Sequence, residues 1–317
     1  MKTAQKSLVL LAGFAILAIL LVASILLEPK AKDTELTVGF TAEFLDRPDG
    51  YPGLKKVYGL EFAEAPKQMD PGLMYKACAD GAVDIICAFA TDGRIAAYDL
   101  KTLEDDKNFF PPYFAAPIVR SDTLEKHPEI RTALNRLAGK ISDEHMREMN
   151  LKVDRENDPM EADQVAREFL LAKKMIQPEK NPEENTGDII TIGGKDFTEQ
   201  LILGEIMARI IEHDTDLRVE RKLYLGGTMI CFNALRAGDL DMYAEYTGTG
   251  LVNILDEPAI SDPDKTFSVV KQQFSEQFDI QWLEPFGFNN TYTITMRRKQ
   301  AESLKIMKIS DLNQVAP

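Results

Sequence analysis

The sequence predicts an α/β fold with two related lobes, on three observations. Strand and helix patterns alternate twice, once after Glu35 and again after Asp188, and each series ends on an aromatic residue followed by a glycine-containing loop. Sliding residues 75–93 onto 232–250 sets Ala77 on Ala234, Gly81 on Gly238, Asp84 on Asp241, Gly93 on Gly250 and Phe89 on Tyr246. Between the two series lies QPEKNPEENTGD, a polar stretch with Pro178 and Pro182, which marks a linker over 176–187. Four identities in so short a window also suit two merely similar α/β units. The agreement at a strand-end aromatic favours related lobes.

The second series is the more informative. In DMYAEYTGTG, Met242, Ala244 and Tyr246 alternate with Tyr243 and Glu245 as in a strand, and Gly248 and Gly250 then break it. Tyr246 and Thr249 fall where strand becomes loop. Open α/β sheets bind ligands at the carboxyl ends of their strands, although a core tyrosine in an ordinary turn fits the same pattern. The preceding segment, IITIGG then KDFTEQLILGEIMARIIE, reads as a buried strand feeding a helix. Asp196 and Glu199 have capping-box spacing, and Lys195 stands beside the helix N-terminus.

The remaining elements follow in chain order. LTVGF is a strand leading to TAEFLDRPDGYPGL, a loop rich in turn formers in which Arg47 is expected to be solvated. PGLMYKACADG is a helix and VDIICAF a strand. FFPPYFAAPIVR, at 109–120, is expected to be an extended crossover holding Tyr113, because paired prolines exclude a central strand. Helices are expected over 127–140, 142–150 and 160–175, the second opening on Ser142 with Asp143 and Glu144. Asp264 to Phe278 forms another amphipathic helix, and a strand is centred near Tyr292.

Composition narrows the function. At 317 residues the chain is long enough for two cores, and a net charge of -14 argues against a nucleic-acid partner. Cys78, Cys87 and Cys231 lack metal-ligand spacing, so neither a metal nor another cofactor is expected. His127, His145 and His213 read as surface residues. Lys2 and Lys6 precede a charge-free apolar run from Leu8 to Leu27, long enough to cross a bilayer. An uncleaved membrane anchor is favoured over a cleaved signal, and either places the remainder outside the cytoplasm.

Six segments together, IGGKDFTEQLILGEIMA, LGGTMICFNALRAGDLDMYAEYTGTGLVNIL, EPFGFNNTYT, GFTAEFLDRPDGYPGL, FATDGRI and FFPPYFAAP, resemble the substrate-binding proteins of osmoprotectant ABC transporters. The resemblance runs from residue 35 onward. It implies a two-lobed periplasmic-binding-protein fold of the type II, Venus-flytrap kind. Its order is reversed, however: the family's later part comes first here, at 35–175, and its earlier part second, at 188–317. The chain therefore resembles a circular permutant, with 176–187 joining the old ends; about twelve residues span up to roughly 40 Å. The implied organisation is an anchor or signal at 1–34, one lobe from 35–108 plus 291–317, and the other from 109–175 and 188–290.

The resemblance also implies a ligand site. Members bind glycine betaine, choline, carnitine or related quaternary amines. Such a cation has no N–H to donate, so aromatic faces hold it by cation-π attraction, about 0.5–2 kcal/mol per contact. Matching motifs place that cage at Tyr246, Tyr292, Phe89 and Tyr113, where Phe89 replaces the usual tyrosine. Arg47, Lys195 and Thr249 match the positions that take a ligand carboxylate. A permease subunit is the implied partner and no catalysis is expected. A membrane-anchored sensing domain for choline-like amines is the alternative. A choline-ester hydrolase lacks its nucleophile motif.

Overall fold

The protein is described here by a computed structural model covering residues 36–177 and 185–314. The apolar run at 8–27 and most of the linker lie outside these residues. Among the described residues, no helix is long and apolar enough to cross a membrane.

Among the described residues, ten strands make two five-stranded mixed sheets. The first contains β1 (Val38–Phe40), β2 (Lys67–Gln68), β3 (Ile85–Phe89), β4 (Leu100–Thr102) and β10 (Tyr292–Arg297), in the order β2-β1-β3-β10-β4. The second contains β5 (Ala115–Arg120), β6 (Ile189–Gly193), β7 (Arg218–Lys222), β8 (Met242–Tyr246) and β9 (Ile280–Trp282), in the order β7-β6-β8-β5-β9. β1 runs parallel to β2 and β3, as β6 does to β7 and β8. β10 is antiparallel to both of its neighbours, and so is β5. The sheets thus match strand for strand in a two-lobed, periplasmic-binding-protein-like α/β fold. The chain passes from the first sheet to the second between β4 and β5, and returns between β9 and β10.

The internal similarity read from the sequence has a hydrogen-bonded counterpart. Thr37 N donates to Asp84 Oδ2 at 2.9 Å, and Thr191 N to Asp241 Oδ2 at 2.7 Å. The backbones reciprocate, with Asp84 N to Thr37 O at 2.8 Å and Asp241 N to Thr191 O at 2.9 Å. Each aspartate pins the start of its strand, β3 or β8, to the parallel strand beside it, β1 or β6. The helices before them, Met74–Ala79 and Thr228–Ala237, both stop at glycine in the left-handed region, Gly81 at φ 80° and Gly238 at φ 83°.

Four expectations are corrected. Residues 115–120 form an interior strand, because Pro111 and Pro112 precede it and Pro117 sits where the short β9 ends, its carbonyl accepting from Leu283 N. Asp196 and Glu199 do not cap the helix Thr198–Asp214, whose N-cap is Phe197 without a side-chain bond. Arg47 is buried, 3% exposed, between the short helix Ala42–Asp46 and the helix Tyr51–Tyr58. His127 is also buried, within ion-pair range of Asp188 and Glu129. The three cysteines are free and buried among core side chains. Ser142 caps the helix Asp143–Asp154, accepting from His145 N.

Candidate ligand-binding site

A cavity of about 370 Å³ lies between the two sheets, within the usual range for small-molecule sites. Tyr246, Tyr292, Phe89, Tyr113, Arg47, Lys195 and Thr249 all line it. The strands account for their convergence. Phe89 closes β3 and faces Tyr292 at the head of β10, its antiparallel partner in register. Tyr246 closes β8, and Tyr113 lies just before β5, which pairs with β8.

The rings form a continuous series across both lobes, linked by a residue the sequence reading passed over. Phe197 stacks on Phe89 with centroids 5.4 Å apart and planes at 11°, and on Tyr246 at 6.3 Å and 26°. Phe89 meets Tyr292 at 5.2 Å, and Tyr292 meets Tyr113 edge-on at 5.5 Å. Phe197 lies inside the GGKDF motif, where an aromatic residue just ahead of a helix start was the available signal.

The phenol groups are engaged away from one another. Tyr113 donates to Asp49 Oδ2 at 2.6 Å, and Tyr246 to Glu199 Oε1 at 2.8 Å. Burial, reinforced by the Glu199 carboxylate, raises the Tyr246 pKa well above its ordinary value, so the phenol stays neutral. The rings already meet positive charge: Arg47 Cζ lies 5.3 Å from the Tyr292 centroid, and Lys195 Nζ 5.3 Å from that of Tyr246.

Both cations carry internal counterions. Arg47 Nε and Nη2 donate to Asp49 at 2.7 and 2.6 Å, while Nη1 makes longer contacts to Thr249 Oγ1 at 3.2 Å and Glu43 Oε1 at 3.3 Å. Burial opposes the guanidinium charge, but Tyr292 and Asp49 outweigh it and the Arg47 pKa ends above its ordinary value. Lys195 Nζ donates to Glu245 Oε1 at 2.6 Å and Thr228 Oγ1 at 2.8 Å. Glu43, Asp70 and Asp196 add negative charge to the cavity wall. Burial raises the pKa of Asp196.

Beneath the rings, Glu199 is buried and accepts from Tyr246, Asn290, Asn150 and Thr91. Burial raises its pKa in spite of these four donors. Thr91 belongs to the first lobe and Asn150 and Tyr246 to the second, so this carboxylate ties the lobes together. Among the described residues no cluster of His, Cys, Asp or Glu is arranged to hold a metal ion.

Residues 26–172 and 188–317 match the model of the substrate binding domain of ABC-type glycine betaine transport systems. The chain belongs to that family. A carnitine transport binding protein, OpuCC, of Listeria monocytogenes is 42% identical over 140 residues, 44% of either chain. A glycine-betaine-binding protein of Pseudomonas aeruginosa is 38% identical over 129 residues, 40% of this chain and 41% of that protein. The solved structure of a glycine betaine/carnitine/choline ABC transporter is 38% identical over 46% of this chain and 52% of its own, with a TM-score of 0.34. The matches to these relatives thus span about half of their length or less. In this betaine-transport family member, the matched regions contain every residue named above as lining the cavity.

Proposed function

We propose that this chain is the extracytoplasmic solute-binding component of an ABC importer and encloses glycine betaine or a related quaternary-ammonium osmolyte between its lobes. The observation that carries the reading is the series Tyr246, Phe197, Phe89, Tyr292 and Tyr113 along one cavity. Such faces attract a cation that has no hydrogen to donate. The ligand carboxylate would displace Glu43 at Arg47 Nη1 and bond Thr249, because the longer contacts there yield before the tight pair with Asp49. Lys195 lies at the same wall and supplies longer-range attraction. Calorimetric titration of the purified full-length chain with betaine, choline, carnitine and proline betaine tests the reading. Micromolar-range binding of at least one is expected, and no heat with any of them refutes the cage.

Two further features belong to the proposal. The permuted order is supported by the family match in two blocks on either side of the linker and by alignments to single relatives that stop near half length. A chain opened in the linker, with residue 317 joined to residue 35, should bind the same ligand. The segment at 8–27 would anchor the protein on the outer face of the cell membrane, near its permease, and intact-mass analysis of membrane fractions tests whether it is retained.

A further inference from the structure

We propose that the lobe interface holds one buried water molecule behind the Phe89–Phe197 stack, bound by Asn150 Oδ1 and Asp154 Oδ2, and that this water completes the latch between the closed lobes. Beside the main cavity is a void of about 10 Å³, close to the roughly 10–15 Å³ that admits a single water. It is lined from the first lobe by Thr91, Asp92 and Arg94, and from the second by Asn150, Asp154 and Glu199. Asn150 Oδ1 and Asp154 Oδ2 are buried here with no hydrogen-bond partner among the described residues. Asn150 is only 4% exposed. Its orientation is fixed, because Nδ2 donates to Thr91 O at 3.0 Å and Glu199 Oε2 at 3.1 Å.

The neighbouring donors are committed elsewhere. Thr198 Oγ1 donates to Asp154 Oδ1, and Thr91 Oγ1 to Glu199. Arg94 donates to both oxygens of Asp92 and to Gly72 O, and its Nη2 lies 3.2 Å from Asp154 Oδ2 as an ion pair without a hydrogen bond. Two buried acceptors therefore require two hydrogens. Asn150 and Asp154 stand four residues apart near the end of the helix Asp143–Asp154, on one face, so one molecule reaches both. Arg94 retains N–H groups that can donate to the water oxygen, giving it the usual three partners. Walls from both lobes mean that the site exists only while the lobes are together.

The site does not depend on the identity of the cleft ligand, and its test needs none. A high-resolution crystal structure of the full-length chain should show a water peak within hydrogen-bond distance of both atoms, and oxygen-17 relaxation dispersion should detect a long-lived water. In Asn150→Leu, which removes the Oδ1 acceptor together with the bonds to Thr91 O and Glu199 Oε2, that signal should disappear and lobe opening, followed by a fluorophore pair across the cleft, should accelerate more than about tenfold, as expected when hydrogen bonds to charged groups are lost. An empty void in the wild-type density, a rubidium-replaceable ion there, or unchanged opening in the variant overturns the proposal. The wild-type density decides even if the variant fails to fold.

Discussion

Arg47 directs the forked edge of its guanidinium at Asp49, with bonds of 2.7 and 2.6 Å, while Nη1 and Nη2 share Thr249 Oγ1 at 3.2 Å and Nη1 alone reaches Glu43. Both members of the pair are almost fully buried. Losing one partner of such a pair leaves a buried unpaired charge, at about 3–5 kcal/mol. Arg47→Ala should therefore lower unfolding stability in urea by about that amount, and Arg47→Ala with Asp49→Ala should recover most of it. A double variant as unstable as the single one would show that the pair is not the cause. In the same single variant betaine should weaken more than choline by calorimetry; equal losses would make Arg47 purely structural.

Tyr246 separates ring from hydroxyl. Tyr246→Phe keeps the face and removes one donor to Glu199, so stability should fall by about 1.5–3 kcal/mol while ligand affinity changes little. Tyr246→Leu removes the face as well, and affinity should fall further by the equivalent of about 0.5–2 kcal/mol. Equal affinities for the two variants would exclude cation-π attraction at this ring.

Asp84 makes a testable contribution at acid pH. Burial works to raise its pKa, but the Thr37 backbone and hydroxyl, Gln300 and Arg297 together hold it below the ordinary carboxylate value. The unfolded chain therefore binds the proton more readily, and the stabilisation present above about pH 4 is lost as pH falls through the depressed folded value. Asp84→Asn should flatten that acid limb of stability against pH in urea titrations; an unchanged slope would assign it to other groups.

Gly93 lets the two lobes approach closely. A Cβ there would stand 2.5 Å from Leu151 Cβ and 2.8 Å from Arg147 O, both on the helix Asp143–Asp154. Gly93→Ala should prop the lobes apart, weakening ligand affinity by about 5–150-fold, as overpacking of about 1–3 kcal/mol implies, and raising the radius of gyration of the ligand-saturated protein in X-ray scattering. Wild-type values for both would mean that the contact is not part of closure.

Much of the fold was legible because its signals are local. Helix stops at Gly81 and Gly238 and the strand pattern ending at Tyr246 in β8 each declare themselves within a few residues. Phe89, Tyr113, Tyr246 and Tyr292 could be gathered through motifs. Partners distant in sequence could not. Nothing near Lys195 announces Glu245, fifty residues on, and nothing near Arg47 announces Thr249. Glu199 has capping-box spacing from Asp196, yet polar groups from four separate parts of the chain draw its carboxylate inward. The same non-local packing makes β5 an interior strand in spite of Pro117.

The exchange of strands also sets a timetable for synthesis. β10 lies between β3 and β4, yet it is encoded some two hundred residues after them. As the chain leaves the ribosome, the first-encoded lobe must wait with a gap in its sheet, while the second, from β5 to β9, has all its strands sooner. The lobe that emerges first is thus the last to have a complete sheet, and its β3 and β4 edges stay unpaired until β10 arrives.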